Sequence, residues 1–242
     1  MNNFLEKYCM YINIKFIILI FILIFFTIKN YNIYDHFNET DNEEKLKKTF
    51  NCTINMINQI NLPYMLSYGT ALGSLRNYKL IPYDHDIDIG IFYNDLRKKF
   101  SNIQEMSNVF NKYAELNNLK PMNNISTPYV YEKKSKFIPI MFQYRHKITN
   151  IPIDFYIFFE KNNYHWDFSE GGEKNGKGIY FPLIKPIYSI IYGKKYPTMP
   201  INIIEIIYGK NWRISLQKGE YKELEKTQYQ ENGELDDDWL IE

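Results

Sequence analysis

Residues 64–90 read YMLSYGTALGSLRNYKLIPYDHDIDIG, and the end of this stretch decides the fold. Asp84, Asp86 and Asp88 alternate with other residues, and Ile87 and Ile89 fall between and after them. Alternation at period 2 marks a strand whose successive side chains point to opposite faces. The three aspartates are then expected on one face, with Ile87 and Ile89 turned into the core. Carboxylates crowded on one strand face repel each other unless positive charge stands between them. A divalent cation is the usual answer, and Mg²⁺ typically works with one or two carboxylates plus substrate phosphates. Upstream, Gly73-Ser74 reads as a Gly-Ser turn, with a helix over Thr70–Asn77 entered through Gly69-Thr70.

Working outward, the rest of the chain narrows the class of protein. The 242 residues suit one good-sized domain with additions. Lys+Arg 29 against Asp+Glu 28 gives a net charge of +1, so no overall field attracts nucleic acid. Cys9 and Cys52 are the only cysteines, which excludes a disulfide framework and a cysteine zinc site.

Phe16 to Ile28 is a run without charge. As a helix it would span roughly 20 Å, short of the ~30 Å hydrocarbon core. Extension back past Lys15, whose ammonium can snorkel to the interface, makes a full span. A cleaved signal peptide has an apolar core of similar length, but no small-residue cleavage site follows at Lys29, Asn30, Tyr31 and Asn32. A buried core helix would need a polar face that this run does not have. The reading taken is an uncleaved signal anchor, single-pass. Lysines on both sides leave its orientation undecided. Sequons at Asn38, Asn51 and Asn124 agree with a luminal domain, although an Asn-rich chain produces them by chance.

The expected organisation is an anchor over 1–30, a stem over 31–41, a catalytic domain over 42–215 and a polar, acidic tail over 216–242. Leu46, Phe50, Ile54, Ile57 and Ile60 fall at helical spacing and predict a helix over 42–60 ended by Pro63. Tyr64–Tyr68 and Asp86–Tyr93 are predicted strands, and Asp95 to Asn117 one or two helices. Tyr129–Glu132, Phe137–His146 and Ile151–Phe159 are strand-like. After a Gly-rich loop at 169–178, Tyr188–Tyr192 and Lys195–Met199 suggest a hairpin around Gly193-Lys194. Pro200 suits the first position of a helix ending near Gly209.

The order of these parts carries a resemblance. A hydrophobic residue with Gly-Ser (Leu72-Gly73-Ser74), followed by Asp-hydrophobic-Asp-hydrophobic (Asp86-Ile87-Asp88-Ile89), resembles the nucleotidyltransferase-like fold. That fold implies an α+β mixed sheet flanked by helices and a third carboxylate on another strand. Asp154, within Ile151-Pro152-Ile153-Asp154-Phe155-Tyr156, supplies one, and an aspartate in an apolar strand is costly to bury unpaired. More narrowly, YGTALGSLRNYKLIPYDHDIDIG resembles the signature of the LicD/fukutin family, with Tyr83 in place of the usual Trp. Weaker similarity runs through IPIDFYIF, IYGKKYPTMP and IIYGKNW. The zinc-binding insertion of some fukutin-related members is absent.

The resemblance implies a metal-dependent phosphotransferase that moves phosphocholine or ribitol phosphate from a CDP-linked donor to a glycan hydroxyl and releases CMP. It implies that Asp86 and Asp88 hold Mg²⁺ or Mn²⁺, with Asp154 as a third ligand or as the acceptor of the hydroxyl proton. Gly69, Thr70, Gly73 and Ser74 are expected to line a phosphate cradle, with Arg76 and Lys79 as cationic donors. Asp84 is expected to ligate metal or to orient its neighbours. His85, His165-Trp166, Tyr208 and Trp212 are weaker candidates with ordinary packing or surface roles available, as is the basic cluster Lys133, Lys134 and Lys136. The expected partners are the CDP-linked donor, the glycan acceptor and a membrane through the N-terminus, with the catalytic domain in the Golgi or secretory lumen and no nucleic acid. Two readings compete. One is an NTP-using nucleotidyltransferase that releases pyrophosphate. The other is an inactive, anchored glycan-binding or scaffold member.

Overall fold

The computed structural model describes residues 41–122, 128–133, 136–169 and 178–214. The expected anchor, the stem up to residue 40, the tail from 216, most of the Gly-rich loop, Lys134, and the sequons at Asn38 and Asn124 lie outside the described residues. The chain divides into units of Met1–Asn42 and Glu43–Glu242, and all described residues but Asp41 and Asn42 belong to the second. Among the described residues, no helix is long and apolar enough to cross a membrane.

The fold is mixed α+β: a large mixed sheet with flanking helices. Helix α1 covers residues 41–60. Its predicted stripe is buried, with Leu46, Phe50, Ile57 and Ile60 no more than 2% exposed. Asn61, in a left-handed conformation, ends it before Pro63. Strand β1 is only Met65–Leu66. The expected continuation to Tyr68 fails because Tyr68 turns to φ 40 and opens helix α2, Tyr68–Asn77. Gly73 and Ser74 therefore lie inside a helix and form no turn. A Cβ on Gly73 would stand 2.7 Å from the Lys79 carbonyl oxygen and 3.0 Å from the Ile81 nitrogen. The glycine lets the returning chain pack closely on the helix.

Strand β2, Ile87–Phe92, begins after Asp86. Asp84 is not on it: the Asp84 nitrogen donates to the Ile81 carbonyl at 3.0 Å, closing a turn. Two helices follow where one or two were predicted: α3 (Tyr93–Lys99) and α4 (Ile103–Leu116). Asn102 caps α4 by accepting from the Glu105 nitrogen at 2.8 Å, and Glu105 accepts in return from the Ser101 nitrogen at 2.8 Å. Then come β3 (Leu119–Pro121), β4 (Tyr129–Lys133), β5 (Lys136–His146) and β6 (Pro152–Lys161). Strands β7 (Tyr164–Asp167) and β8 (Ile179–Pro182) were not foreseen. The β6–β7 hairpin turns on Asn162 and Asn163, both with positive φ, which is the geometry of the two-residue turns that match strand twist. Strands β9 (Ile187–Ile191) and β10 (Lys194–Thr198) form the predicted hairpin. Its turn is Tyr192-Gly193, one residue earlier than expected, again with both φ positive. Helix α5, Ile201–Tyr208, follows Pro200, which occupies the cap position rather than the first helical one.

The sheet runs β3-β5-β6-β2-β1-β10-β9, with β4 also on β5, and β7 joining β6 to β8. Two neighbours are parallel, β2 with β6 and β1 with β10, and the other pairings are antiparallel. Ile87, Ile89 and Ile91 are fully buried, and so are Ile153, Phe155, Ile157 and Phe159 from β6. The same-face alternation places them on one side of the sheet. Phe110 of α4 covers that side, 4.2 Å from the Phe142 ring in parallel stacking and 5.9 Å from Phe155 edge-on, and Tyr93 of α3 lies 4.6 Å from Phe159. The opposite face of the same two strands carries Asp88, Gly90 and Phe92 beside Asp154, Tyr156 and Phe158.

Candidate functional site

The parallel register of β2 and β6 sets Asp88 directly beside Asp154. Ordinary alternation, Ile inward and Asp outward, is enough to put both carboxylates on the same sheet face. Asp86 precedes the strand in extended chain and joins them: one carboxylate oxygen each from Asp86, Asp88 and Asp154 lie within 4.8 Å of one another. Asp88 and Asp154 are 4% and 9% exposed, so the cluster is largely withdrawn from water. The next position across the sheet is Gln143 of β5, in register with Asp154 and donating its amide to Asp154 Oδ1 at 3.0 Å.

Helix α2 closes the site from the other side. The Thr70 nitrogen donates to Asp88 Oδ2 at 3.3 Å, and the Asp88 nitrogen donates to Thr70 Oγ1 at 2.9 Å. A Cβ on Gly69 would stand 2.6 Å from Asp84 Oδ2 and 3.2 Å from Asp88 Oδ2. Only a residue without a side chain lets the helix start approach the carboxylates this closely. Asp84, although off the strand, thus reaches the cluster's edge. It accepts from the His85 nitrogen at 2.9 Å and shares a hydrogen bond with Asp86.

The electrostatics follow from burial and crowding. Desolvation first, then the Asp86 charge, raises the Asp84 carboxyl to about 7. Desolvation raises Asp154 to about 6 against the Gln143 hydrogen bond, which acts the other way. Asp88 is held well above the carboxylate range by desolvation and then by Asp86, Asp84 and Asp154 in turn. Oxygen ligands and converging negative charge are the donor chemistry of a Mg²⁺ or Mn²⁺ site, and the residues present fit one.

The structure separates the other predicted residues from this cluster. Ser74 is fully buried; its hydroxyl donates to the Ala71 carbonyl at 2.7 Å and accepts from Ser189 at 2.8 Å, and Ser189 meets Thr198. Arg76 is spent on the carbonyls of Trp212 and Ile214, which it ties to α2. Lys79 pairs with Glu43 of α1 at 3.0 Å. Gly73, Ser74, Arg76 and Lys79 thus make these contacts along and beyond α2, while Gly69 and Thr70 touch the carboxylates. His85 is exposed. His165 is buried and its Nδ1 accepts from the Ile184 nitrogen at 2.8 Å, a packing role. Trp212 is buried, with its indole donating to Glu205 at 3.4 Å.

Three neighbours escaped the sequence reading. Tyr68, first residue of α2, packs its ring 4.5 Å from that of Tyr156 at a tilt of 57° and donates its hydroxyl to Asp167, which is 2% exposed. A bulky side chain at positive φ is a genuine outlier and costs of order 1–3 kcal/mol. Ser67 is fully buried beside Asp88, its nitrogen donating to the Asp88 carbonyl at 3.2 Å, and its hydroxyl has no hydrogen-bond partner among the described residues. Positive φ at Tyr68 has no sequence signal. Asp167 has only an alternating YHWD segment to mark its strand.

A mixed sheet that sets aspartates from paired strands against the first turn of a helix forms a cluster that could hold a divalent cation. Residues 61–196 match the family described as LicD/FKTN/FKRP, nucleotidyltransferase domain, and the chain belongs to that family. Human ribitol-5-phosphate transferase FKTN is 23% identical over 172 residues, covering 69% of this chain and 32% of that protein. Its mouse counterpart is 22% identical over 185 residues, covering 74% and 35%. The uncharacterized protein RP689 of Rickettsia prowazekii (strain Madrid E) is 28% identical over 89 residues, covering 36% and 33%. The chain spans about a third of the length of these relatives. Among solved structures, a chain of the E. coli MS115-1 CdnC:HORMA-deltaN complex aligns over 60% of this chain and 41% of that one. Its identity is 10% and its TM-score 0.25, too low to bear on the argument.

Proposed function

We propose that this protein transfers a phospho-alcohol, phosphocholine or ribitol phosphate, from a CDP-activated donor to a glycan hydroxyl and releases CMP. The observation that carries the proposal is the in-register pair Asp88 and Asp154, joined by Asp86 within 4.8 Å. Membership of the family and the likeness to ribitol-5-phosphate transferases support the choice of reaction.

Asp86, Asp88 and Asp154 would hold Mg²⁺ or Mn²⁺. A bound divalent cation supplies charge neutralisation on the diphosphate and stabilises the oxygens of an in-line displacement. Gly69 and Thr70, at the start of α2 against Asp84 and Asp88, would line the side of the cation site that faces the phosphate. The acceptor oxygen attacks the phosphorus that carries the alcohol. The bond from that phosphorus to the CMP oxygen breaks, and CMP leaves with the electron pair. Where Asp86 and Asp88 alone hold the cation, Asp154 would instead be the group that takes the hydroxyl proton. Asp84 stands at the edge of the cluster, where it would orient Asp86.

The apolar run Phe16–Ile28 supports a single-pass anchor, and the sequon at Asn51 is what favours a catalytic domain in the secretory lumen. Glycan attached at Asn51, which is exposed on α1, would support that placement, and an unmodified Asn51 in secretory-pathway membranes would count against it.

The test of the reaction is CMP release from CDP-choline, CDP-ribitol and CDP-glycerol, with Mg²⁺, Mn²⁺ or EDTA. The expected result is metal-dependent release from one donor, lost in Asp88→Asn and Asp154→Asn. Release that both variants retain in full would overturn the assignment. Pyrophosphate released from an NTP instead would move the protein to the nucleotidyltransferase reading.

A further inference from the structure

Asp167 is nearly inaccessible, and its two oxygens are both engaged: Oδ1 accepts from the Ser169 nitrogen at 2.8 Å and Oδ2 from the Tyr68 hydroxyl. It sits on β7 opposite Phe158 of β6, on the sheet face that carries Asp154. Tyr68 comes from the other wall of the site. Its ring lies 4.5 Å from Tyr156, two residues beyond Asp154 on β6, and stacks 6.4 Å from Phe158. Its backbone is turned into the left-handed region, and the next two residues are those that meet the cluster. Gly69 passes close to the Asp84 and Asp88 oxygens, and Thr70 exchanges two hydrogen bonds with Asp88. An unbroken path thus runs from Asp167 through the Tyr68 hydroxyl and backbone to Asp88. The same ring braces the strand that bears Asp154.

We infer that Tyr68 and Asp167 are positioning residues for the cation site: their hydrogen bond fixes where the first turn of α2 meets Asp88, and so sets affinity for a divalent cation. The inference rests on the reading of Asp86, Asp88 and Asp154 as ligands. Groups that touch a ligand rather than the metal orient it and tune its affinity. Here the bond also opposes relaxation of Tyr68 toward ordinary backbone geometry, which would carry Gly69 and Thr70 away from Asp88.

Mn²⁺ binding to the full-length chain, read from the signal of free Mn²⁺ by electron paramagnetic resonance, tests this without any donor or acceptor. Tyr68→Phe and Asp167→Asn are each expected to weaken Mn²⁺ binding by about tenfold or more. Tyr68→Phe also leaves a buried carboxylate short of a donor, so it will melt earlier than the native chain. The double variant Tyr68→Phe, Asp167→Asn removes that buried charge. It should regain melting temperature over Tyr68→Phe while its Mn²⁺ affinity stays low. Affinity within about twofold of the native chain in Tyr68→Phe, or affinity that returns with stability in the double variant, overturns the inference. Absence of Mn²⁺ binding by the native chain would instead overturn the ligand reading itself, and this inference with it.

Discussion

Replacing Asp154 with Asn is predicted to stabilise the metal-free protein and to destroy its response to cation. Two unit charges 4.8 Å apart, the outer limit within the cluster, repel by about 3–4 kcal/mol at an effective dielectric of about 20. The native protein avoids part of this by holding protons. Asp154 is raised to about 6 from 3.8, so ionising it in the fold at pH 8 costs about 3 kcal/mol. The sign follows from the folded carboxyl being the weaker acid. Its contribution to stability is fully present below about pH 4 and is lost as pH rises through 6. Asn at this position keeps an oxygen for the Gln143 amide, whose bond to Asp154 Oδ1 is 3.0 Å, and carries no charge. In EDTA at pH 8 the variant should therefore gain about 2–3 kcal/mol, roughly 5–10 °C in melting temperature for a domain of this size. At pH 4.5 the gain should shrink to about 1 kcal/mol, because the unfolded carboxyl is by then largely ionised while the folded one still holds its proton. Saturating Mg²⁺ or Mn²⁺ should reverse the order, since cation at a hundred times its dissociation constant adds about 2.7 kcal/mol to a chain that binds it. Thermal unfolding by circular dichroism at the two pH values, with and without cation, measures all of this. A variant less stable than the native chain in EDTA at pH 8 would refute the reasoning.

Gly69→Ala places a methyl 2.6 Å from Asp84 Oδ2, so cation binding by calorimetry should weaken by about tenfold or more, and unchanged binding would count against the close approach. Ser74→Ala should cost about 1 kcal/mol of stability by breaking its link to Ser189 while CMP release per folded molecule is unchanged. A large loss of turnover at native stability would return Ser74 to the phosphate cradle. Phe110→Ala, which empties the contact with Phe142 and Phe155, should cost about 3–5 kcal/mol in denaturant unfolding, and a cost under about 1 kcal/mol would contradict the packing described.

The parts of the site that rest on local periodicity were legible from the chain. Ile87 and Ile89 turned inward as their alternation required, and Asp154 stood out because its flanking Ile153 and Phe155 left it as the polar residue of an apolar strand. The spacing of Leu46, Phe50, Ile57 and Ile60 placed α1 within a residue of its observed end. What failed depended on distant partners or on backbone conformation. Gly73-Ser74 looks like a turn in isolation, yet Gly73 is small because chain from Lys79 to Ile81 packs on it, and Ser74 is polar because Ser189 awaits it 115 residues on. Arg76 and Lys79 read as phosphate donors from proximity in sequence, a reading that could not foresee their contacts with Trp212 and Glu43. Asn162-Asn163 was a hairpin signal that went unread, and with it β7, the strand that carries Asp167. Its bond to Tyr68 spans 99 residues, a separation over which periodicity says nothing.

The parallel seam between β2 and β6 has a kinetic consequence. These strands are far apart in the chain, with two helices and three strands folded between them, so their pairing is a non-local step that closes a long loop. Docking that seam is also what drives Asp88 and Asp154 together, so the slow step of assembly must work against the repulsion that the finished site needs. A cation arriving as the strands meet would lower that barrier, and protons would do the same in acid. The chain should therefore refold more slowly in EDTA at alkaline pH than with Mg²⁺ present, and the aspartates of the proposed cation site would also govern how quickly the fold is reached.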